Sequence, residues 1–301
     1  EALLSNTEGD NNTALGFRTL RFNSTGTFNV ATGIQALFTN TTGANNTAIG
    51  ASAMLSNSIG SENTALGYLS LFLNGEGNRN TALGTETLYL NTSGNRNTAV
   101  GYRSQYKNSS GTRNTSVGFK SLFETTTGEE NVAMGNGALL NNTTGTGNTA
   151  IGWGALSGVG ALTYTNAGAF GYNAEPGASN AIRIGNSSVT TISGNVAFTS
   201  TSDARFKRKV KEDVPGVEFI EELRPVTYQF DWQAQQDWEA QTYGHRDSSS
   251  HPEPRAIEQI RFTGFIAQEV EAAAQKIDYD FSGVDKPDTD QQAYGLRYAE
   301  F

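Results

Sequence analysis

Along the first half of the chain, apolar and polar positions repeat with a fixed step of 17 residues. An Asn-x-Ala-x-Gly pattern recurs from Asn12 through Asn29, Asn46 and Asn63 to Asn148, and its glycines run from Gly16 to Gly152. A second glycine series, Gly26, Gly43, Gly60 and onward to Gly145, keeps the same step. Between the two lies an apolar pair such as Leu37-Phe38, Leu71-Phe72 or Leu122-Phe123. Nine registers pass without an insertion. The alternation in NTALG predicts a short strand, the apolar pair a second one, and the glycines supply the corners other residues avoid. One such unit buries too few apolar side chains to offset an ordering cost of about 1–2 kcal/mol per residue, so the units must stack. Coils stacked at about 4.8 Å give a rod roughly 40 Å long, with the recurrent Asn as a ladder of side-chain amides. Each chain closing its own coils and three chains intertwining both fit the repeat.

After Gly152 the period breaks. Residues 179–201 alternate at Ile182, Ile184, Val189, Ile192, Val196 and Phe198, which predicts a thin strand-like neck. From Ser202 the pattern becomes mixed α/β. Val217 to Leu223 reads as a helix stopped by Pro225, Val226 to Phe230 as a strand, Arg261 to Ile266 as a strand and Ala267 to Lys276 as a helix. Tyr294 to Phe301 begins a further element, and residues 244–256, with Pro252 and Pro254, read as a polar insertion. The expected fold is therefore a β-rich fibre in three parts. A 17-residue-repeat β-solenoid or β-roll covers 1–165, a β neck 166–201 and a mixed α/β domain 202–301.

Composition narrows the chemistry. Residues 1–200 carry nine basic and ten acidic side chains; the remainder holds most of the net charge of −9. That balance, with a mean hydropathy of −0.45, gives no pull toward nucleic acid or anionic membrane. No apolar run reaches the roughly 18 residues of a membrane span, so membrane insertion is not expected. Without cysteine and with only two histidines, neither a metal site nor a cofactor is expected. His245 and His251 fall in the polar insertion and read as bystanders. The repeat lacks the Asp in each turn that calcium-binding solenoids need. It has about one registered Thr per coil (Thr13, Thr47, Thr64, Thr81, Thr98), where ice-binding solenoids show Thr-x-Thr arrays. Sequons such as Asn142-Thr143-Thr144 follow automatically from an Asn/Thr-rich repeat. A variable stripe (Arg18, Gln35, Ser52, Leu69, Glu86, Arg103, Lys120) neighbours an aromatic one (Phe17, Tyr68, Tyr102, Phe119, Trp153). These rings either pack between coils or subunits or offer a surface to sugars.

At the composition boundary stands Thr201-Ser202-Asp203-Ala204-Arg205-Phe206-Lys207. A serine hydroxyl becomes a nucleophile when a base takes its proton, and a lysine amine serves once burial or a cationic neighbour favours its neutral form. Ser202 and Lys207 are thus candidates for nucleophile and base, with Asp203 and Arg205 in support. Ser202 would attack the carbonyl beside it, cutting Thr201–Ser202, with Ser202–Asp203 the alternative bond. The bland reading is that Ser202-Asp203 caps a turn and Lys207 is a solvated charge. Gln268 and Glu269 are candidates to approach the pair, or simply to pack at a helix N-terminus.

Two resemblances add to this reading. The repeat resembles the heads of trimeric bacterial adhesins, whose β-roll coils carry a comparable Asn-x-Ala-x-Gly pattern at a different period. SDARFK, then LRPVTYQF, then GFIAQEVEA, in this order, resemble the intramolecular chaperone domain of endosialidase-type phage tail spikes, over 202–301. That resemblance implies a homotrimer, chaperoned assembly and autoproteolysis, with Ser202 and Lys207 at the positions of the family's Ser-Lys dyad. It also implies an extracellular or virion tail-fibre location, with a host-surface glycan or protein as a partner. Family members continue from a YGLRYAEF-like segment into a long helix, so a C-terminally truncated domain is expected. The opening in mid-repeat leads us to expect a piece of a longer protein. The alternative function is a purely structural or adhesive fibre that keeps its chaperone domain and an idle dyad.

Overall fold

The structure is a computed structural model that describes residues 1–158, 162–189, 191–193, 203–243, 260–287 and 293–298. The polar insertion 244–256, with His245 and His251, lies outside the described residues. The chain forms two compact units, one holding Glu1–Asn186 and the other most of the region from Ser187 onward.

The first unit is a parallel β-solenoid. Each coil contributes one three-residue strand, from β1 (Thr13–Leu15) and β2 (Val30–Thr32) through β9 (Thr149–Ile151), then β10 (Gly168–Phe170) and β11 (Ile182–Ile184). All eleven pair in sequence order into one sheet within a single chain. Ala14 faces Ala31, Ala31 faces Ala48, and the column of alanines points inward. The break in period after Gly152 does not stop the sheet. Gly168 pairs with Thr149 and with Ile182, so the loops absorb the altered spacing while the strand register survives.

One strand per coil replaces the two expected from the pattern. The second apolar stretch is a run of turns in which Leu20, Leu37, Leu71, Leu88 and Leu122 hold φ between 47° and 52°. Left-handed backbone costs a non-glycine residue roughly 1–2 kcal/mol. Here it turns each of those leucines fully inward, and the stretch still bonds to the next coil, as in Leu37 N–H to Ala53 O at 3.0 Å. Leu139 and Leu156 keep this left-handed position in later coils, and Gly137 and Gly154 take the left-handed position held two residues earlier in the coil by Arg18 and Lys120.

Two asparagine ladders run through the interior. In the anticipated series, the side-chain oxygen of Asn46 accepts the backbone N–H of Asn63 at 3.0 Å, and Asn63 Nδ2 donates to Gly77 O at 2.8 Å. A second series, Asn23, Asn40, Asn57, Asn74, Asn91 and Asn108, donates amide to amide: Asn74 Nδ2 to Asn57 Oδ1 at 2.7 Å and to Gly77 O at 2.8 Å. One glycine carbonyl per coil therefore accepts from both ladders. A Cβ on Gly77 would stand 2.2 Å from Asn74 Oδ1 and 2.6 Å from Gly94 O, which is why that position repeats as glycine.

The apolar core is mainly columns of Ala and Leu, and both columns turn polar at one level. Gln105 stands where other coils have Leu or, once, Met54, and Ser116 where they have Ala. Gln105 Nε2 donates to Ser116 Oγ at 2.8 Å, while Ser104 bonds both Ser116 and Ser121. Apolar clusters lie on either side of this polar layer, one ending at Ala99 and the other starting at Leu122.

The region from Ser187 onward holds short elements. These are α1 (Val217–Glu222), β12 (Val226–Tyr228), α2 (Trp232–Tyr243), β13 (Phe262–Gly264), α3 (Ala267–Lys276), β14 (Val284–Asp285) and β15 (Gly295–Leu296). β12 pairs antiparallel with β13, and β14 with β15. Phe219 of α1 packs on Val270, Ala273 and Ala274 of α3, closed by Tyr279, Phe281 and Leu296.

Asn91→Ala should lower stability by about 2–4 kcal/mol, because Asn108 Nδ2, Asn74 Oδ1 and Gly94 O each lose a buried partner. Thr92→Ala, which removes an exposed bond to Ser109 O, should cost less than about 1 kcal/mol. Thermal melts followed by circular dichroism compare the two; equal costs would show that the ladder carries no stability.

Candidate functional site

The segment joining solenoid to α1 is short, polar and poorly covered. Ala204–Phe206 forms one 3-10 turn, with Asp203 as its N-cap and Lys207 as its C-cap. Asp203 is placed there by capping chemistry: its carboxylate accepts the otherwise orphaned backbone N–H of Arg205 at 2.9 Å. The same carboxylate takes the Arg205 guanidinium, with Nε at 3.0 Å from both oxygens and Nη2 at 2.7 Å from Oδ2. This side-chain bond to Arg205, with the backbone bond second, holds the Asp203 carboxyl below the usual carboxylate range and pushes Arg205 up. Arg205 Cζ also sits 5.6 Å from the centre of the Phe206 ring.

Of the residues selected from sequence, the structure brings Asp203 and Arg205 into direct contact. Lys207 follows one turn on, exposed, with its backbone N–H on Ala204 O at 3.2 Å. Ser202, and with it the Thr201–Ser202 bond, lies outside the described residues. Phe206, Val210, Val214, Val217 and Ile220 are all exposed, Phe206 at 72%. Five large apolar side chains within 15 residues are thus left largely open among the described residues.

Behind this segment the second unit is cross-braced by charge. Arg224 grips Glu269 with both Nε and Nη2, and Lys276 Nζ lies 2.5 Å from Glu222. Glu269 is thereby committed to Arg224, and Gln268 is exposed. Glu271 accepts from Lys286 Nζ at 2.7 Å and Tyr294 OH at 3.0 Å, which draws its carboxyl below the usual range. These pairs tie α3 to α1 and to the β14–β15 region.

The second asparagine ladder was missed by the sequence reading, although its signal was present. Each of its members stands three residues before a glycine of the second series, as in Asn23 and Gly26 or Asn74 and Gly77. The aromatic stripe is now placed too. Phe17, Tyr68, Tyr102, Phe119 and Trp153 are outward and exposed, and neighbours stack coil to coil, Tyr102 on Phe119 at 5.4 Å and Trp153 on Tyr172 at 5.1 Å. Beside them the third strand residue also faces out, as at Leu15, Ile49, Leu66, Val117, Met134 and Ile151.

Residues 202–279 match the model of a peptidase family described as chaperone of endosialidase, a family of self-cleaving chaperone domains. The matched region begins at Ser202 and ends within the α1–α3 core. It is preceded by the 17-residue-repeat solenoid. No curated protein and no solved structure matches the chain. Among the described residues, no helix is long and apolar enough to cross a membrane.

Because its folded-state value is depressed, the Asp203–Arg205 pair is present above the ordinary carboxylate range and is lost as pH falls through the lowered Asp203 value. A carbon-13 NMR titration should give Asp203 a midpoint below an ordinary Asp, and Arg205→Gln should return it to the ordinary range. Identical midpoints in the two proteins would contradict the pairing.

Proposed function

We propose that this chain is one subunit of a homotrimeric, tail-fibre-like or cell-surface fibre whose C-terminal region is an intramolecular assembly chaperone that releases itself by cutting at Thr201–Ser202. The observation that carries this reading is the family match beginning at Ser202, immediately after a solenoid of near-identical coils. Such a product belongs outside the cell or on a virion.

In the proposed reaction Lys207, as the neutral amine, takes the proton of Ser202 Oγ, and the oxygen adds to the Thr201 carbonyl carbon. The C–N bond breaks as the lysine returns its proton to the departing Ser202 nitrogen. This leaves an ester between the Thr201 carboxyl and Ser202 Oγ. Water then hydrolyses the ester to a Thr201 carboxylate and a free Ser202 hydroxyl. Asp203 and Arg205 shape the turn that ends at Lys207. The exposed Phe206, Val210, Val214, Val217 and Ile220 support a site completed by neighbouring chains, because assembly would bury these side chains and exclude water around Lys207.

The solenoid offers the matching contact. The outward apolar column through Leu66, Val117 and Ile151, with the aromatic column beside it, is a long uncharged strip far larger than isolated surface residues make. Its occupant in this reading is the same strip of two further copies. Identical periods let coils of all three chains meet row by row.

Intact-mass measurement of the assembled wild-type protein should show a product ending at Thr201, while Ser202→Ala and Lys207→Ala remain whole. Leu66→Glu with Ile151→Glu should leave the circular dichroism spectrum unchanged, abolish the trimer on light scattering and slow cutting by at least about tenfold. An assembled wild type that stays whole contradicts the self-cleavage, and trimers that persist in the double variant contradict the contact.

A further inference from the structure

The face formed by the residues just before each strand carries charge in a pattern that the fold pairs only in part. At this register successive coils present Glu62, Arg79, Arg96, Arg113 and Glu130. Three arginines are thus bracketed by an acid at each end. Their backbones are locked in step: Arg79 N–H bonds Ser61 O, Arg96 N–H bonds Asn78 O and Arg113 N–H bonds Asn95 O, each at 3.0 Å. All three share φ between 57° and 59°, so their side chains leave the coil in the same sense. Neighbouring guanidinium stems therefore rise by about one coil, about 4.8 Å.

The arginines border an open cleft of about 430 Å³, with Asn78, Asn95 and Thr112 among its lining. Asn78 and Asn95 are held rigidly, Asn95 Oδ1 accepting the Asn78 backbone N–H at 2.8 Å and Asn95 Nδ2 donating to Ser93 O at 2.7 Å. The outer arginines are turned toward the ends of the column. Arg79 Nε lies 2.9 Å from Glu62, and Arg113 Nη2 lies 3.1 Å from Glu129 and 2.9 Å from Glu130. Arg96, between them, has no carboxylate partner among the described residues. Its two neighbours are each held by carboxylates, so Arg96 is the guanidinium of the row open to an anion from outside.

We propose that the cleft centred on Arg96 is a binding site for a short stretch of acidic polysaccharide, whose carboxylate or sulfate groups bridge Arg96 and its neighbours. Guanidinium forks suit such planar or tetrahedral anions, and a bidentate bond gives direction as well as charge. The coil spacing is close to the length of one sugar ring in an extended chain. The amides of Asn78 and Asn95 and the hydroxyl of Thr112 suit ring hydroxyls. Nucleic acid fits less well. Duplex binders typically neutralise about six to ten phosphates, and single-strand binders supply aromatic stacking platforms. This cleft has three arginines between acids and no aromatic in its lining. An acidic peptide would need apolar anchor pockets that the lining does not offer.

The site is distinct from the Ser202 region, and the test uses the full chain carrying Ser202→Ala, so the fate of the self-cleavage reading leaves the result unaffected. Isothermal titration with a heparin-derived hexasaccharide (sulfate and carboxylate) and a hyaluronan hexasaccharide (carboxylate only) identifies the anion, with maltohexaose as the neutral control. Binding should be seen for at least one acidic hexasaccharide and not for maltohexaose, and it should weaken as salt rises. Arg96→Gln should weaken it by about tenfold or more with an unchanged melting temperature, as expected for loss of a charge-assisted pair. Arg103→Gln, in the stripe paired to Glu86, should leave it unchanged. Equal affinity in Arg96→Gln and the parent overturns the proposal. So does absence of binding, or a twelve-nucleotide thymidine strand or a poly-glutamate peptide competing as well as the acidic hexasaccharide.

Discussion

Beside the backbone sheet, most coils of the solenoid are stitched together at one glycine carbonyl that accepts two asparagine side chains. Gly77 O takes Asn63 and Asn74, Gly94 O takes Asn80 and Asn91, and Gly111 O takes Asn97 and Asn108. Buried amides are costly unless satisfied, and here each is satisfied mainly by the neighbouring coil or the adjacent turn. This arrangement makes glycine mandatory at the carbonyl and leaves room inside only for Ala and Leu layers. It also removes any independent stability from a single coil. The ladder falters where Thr125 stands in place of asparagine, and there Asn108 Oδ1 lacks its donor. The same region contains the polar layer around Gln105. The most irregular stitching and the only polar break between the two solenoid apolar clusters therefore coincide.

Near-identical coils create a register problem. A slip of one coil would keep most ladder bonds and most Ala and Leu contacts, so the wrong pairing would be almost as stable as the right one. Gln105 and its serines are a local answer: shifted by one coil, they would face leucine and alanine and lose their partners. That device orders a chain against itself and does nothing to align one chain with another. The proposed clamp beginning at Ser202 acts on that second problem. The exposed Phe206, Val210, Val214, Val217 and Ile220 have most to gain from company.

Much of the fold was legible because it is periodic. The Asn-x-Ala-x-Gly series gave coil length, stacking and one ladder, and Ala267 to Lys276 was bounded as found. The extra strand per coil was an error of geometry. Leu37-Phe38 looks like part of an alternating strand, but Leu37 reaches the core through a left-handed backbone that no propensity signals. β10 and β11 were assigned to a neck because whole-repeat spacing was counted, whereas pairing constrains only the strand residues. At the junction the motif was legible as a set of residue types. Its internal arrangement was less so, since the Asp203–Arg205 pair arises from a 3-10 turn that brings together side chains two residues apart.

Backbone amide hydrogen exchange along the solenoid tests the shared-carbonyl ladder most directly. The N–H groups of Asn46, Asn63, Asn80, Asn97 and Asn114 donate to a side chain of the adjacent coil rather than to the backbone sheet. They should exchange as slowly as the neighbouring strand amides of Thr64 and Thr98, and Asn91→Ala should speed exchange at Asn97 while sparing coils several repeats away. Exchange of these asparagine amides at the rate of exposed turn amides, in the native protein, would contradict a solenoid held together by its asparagines.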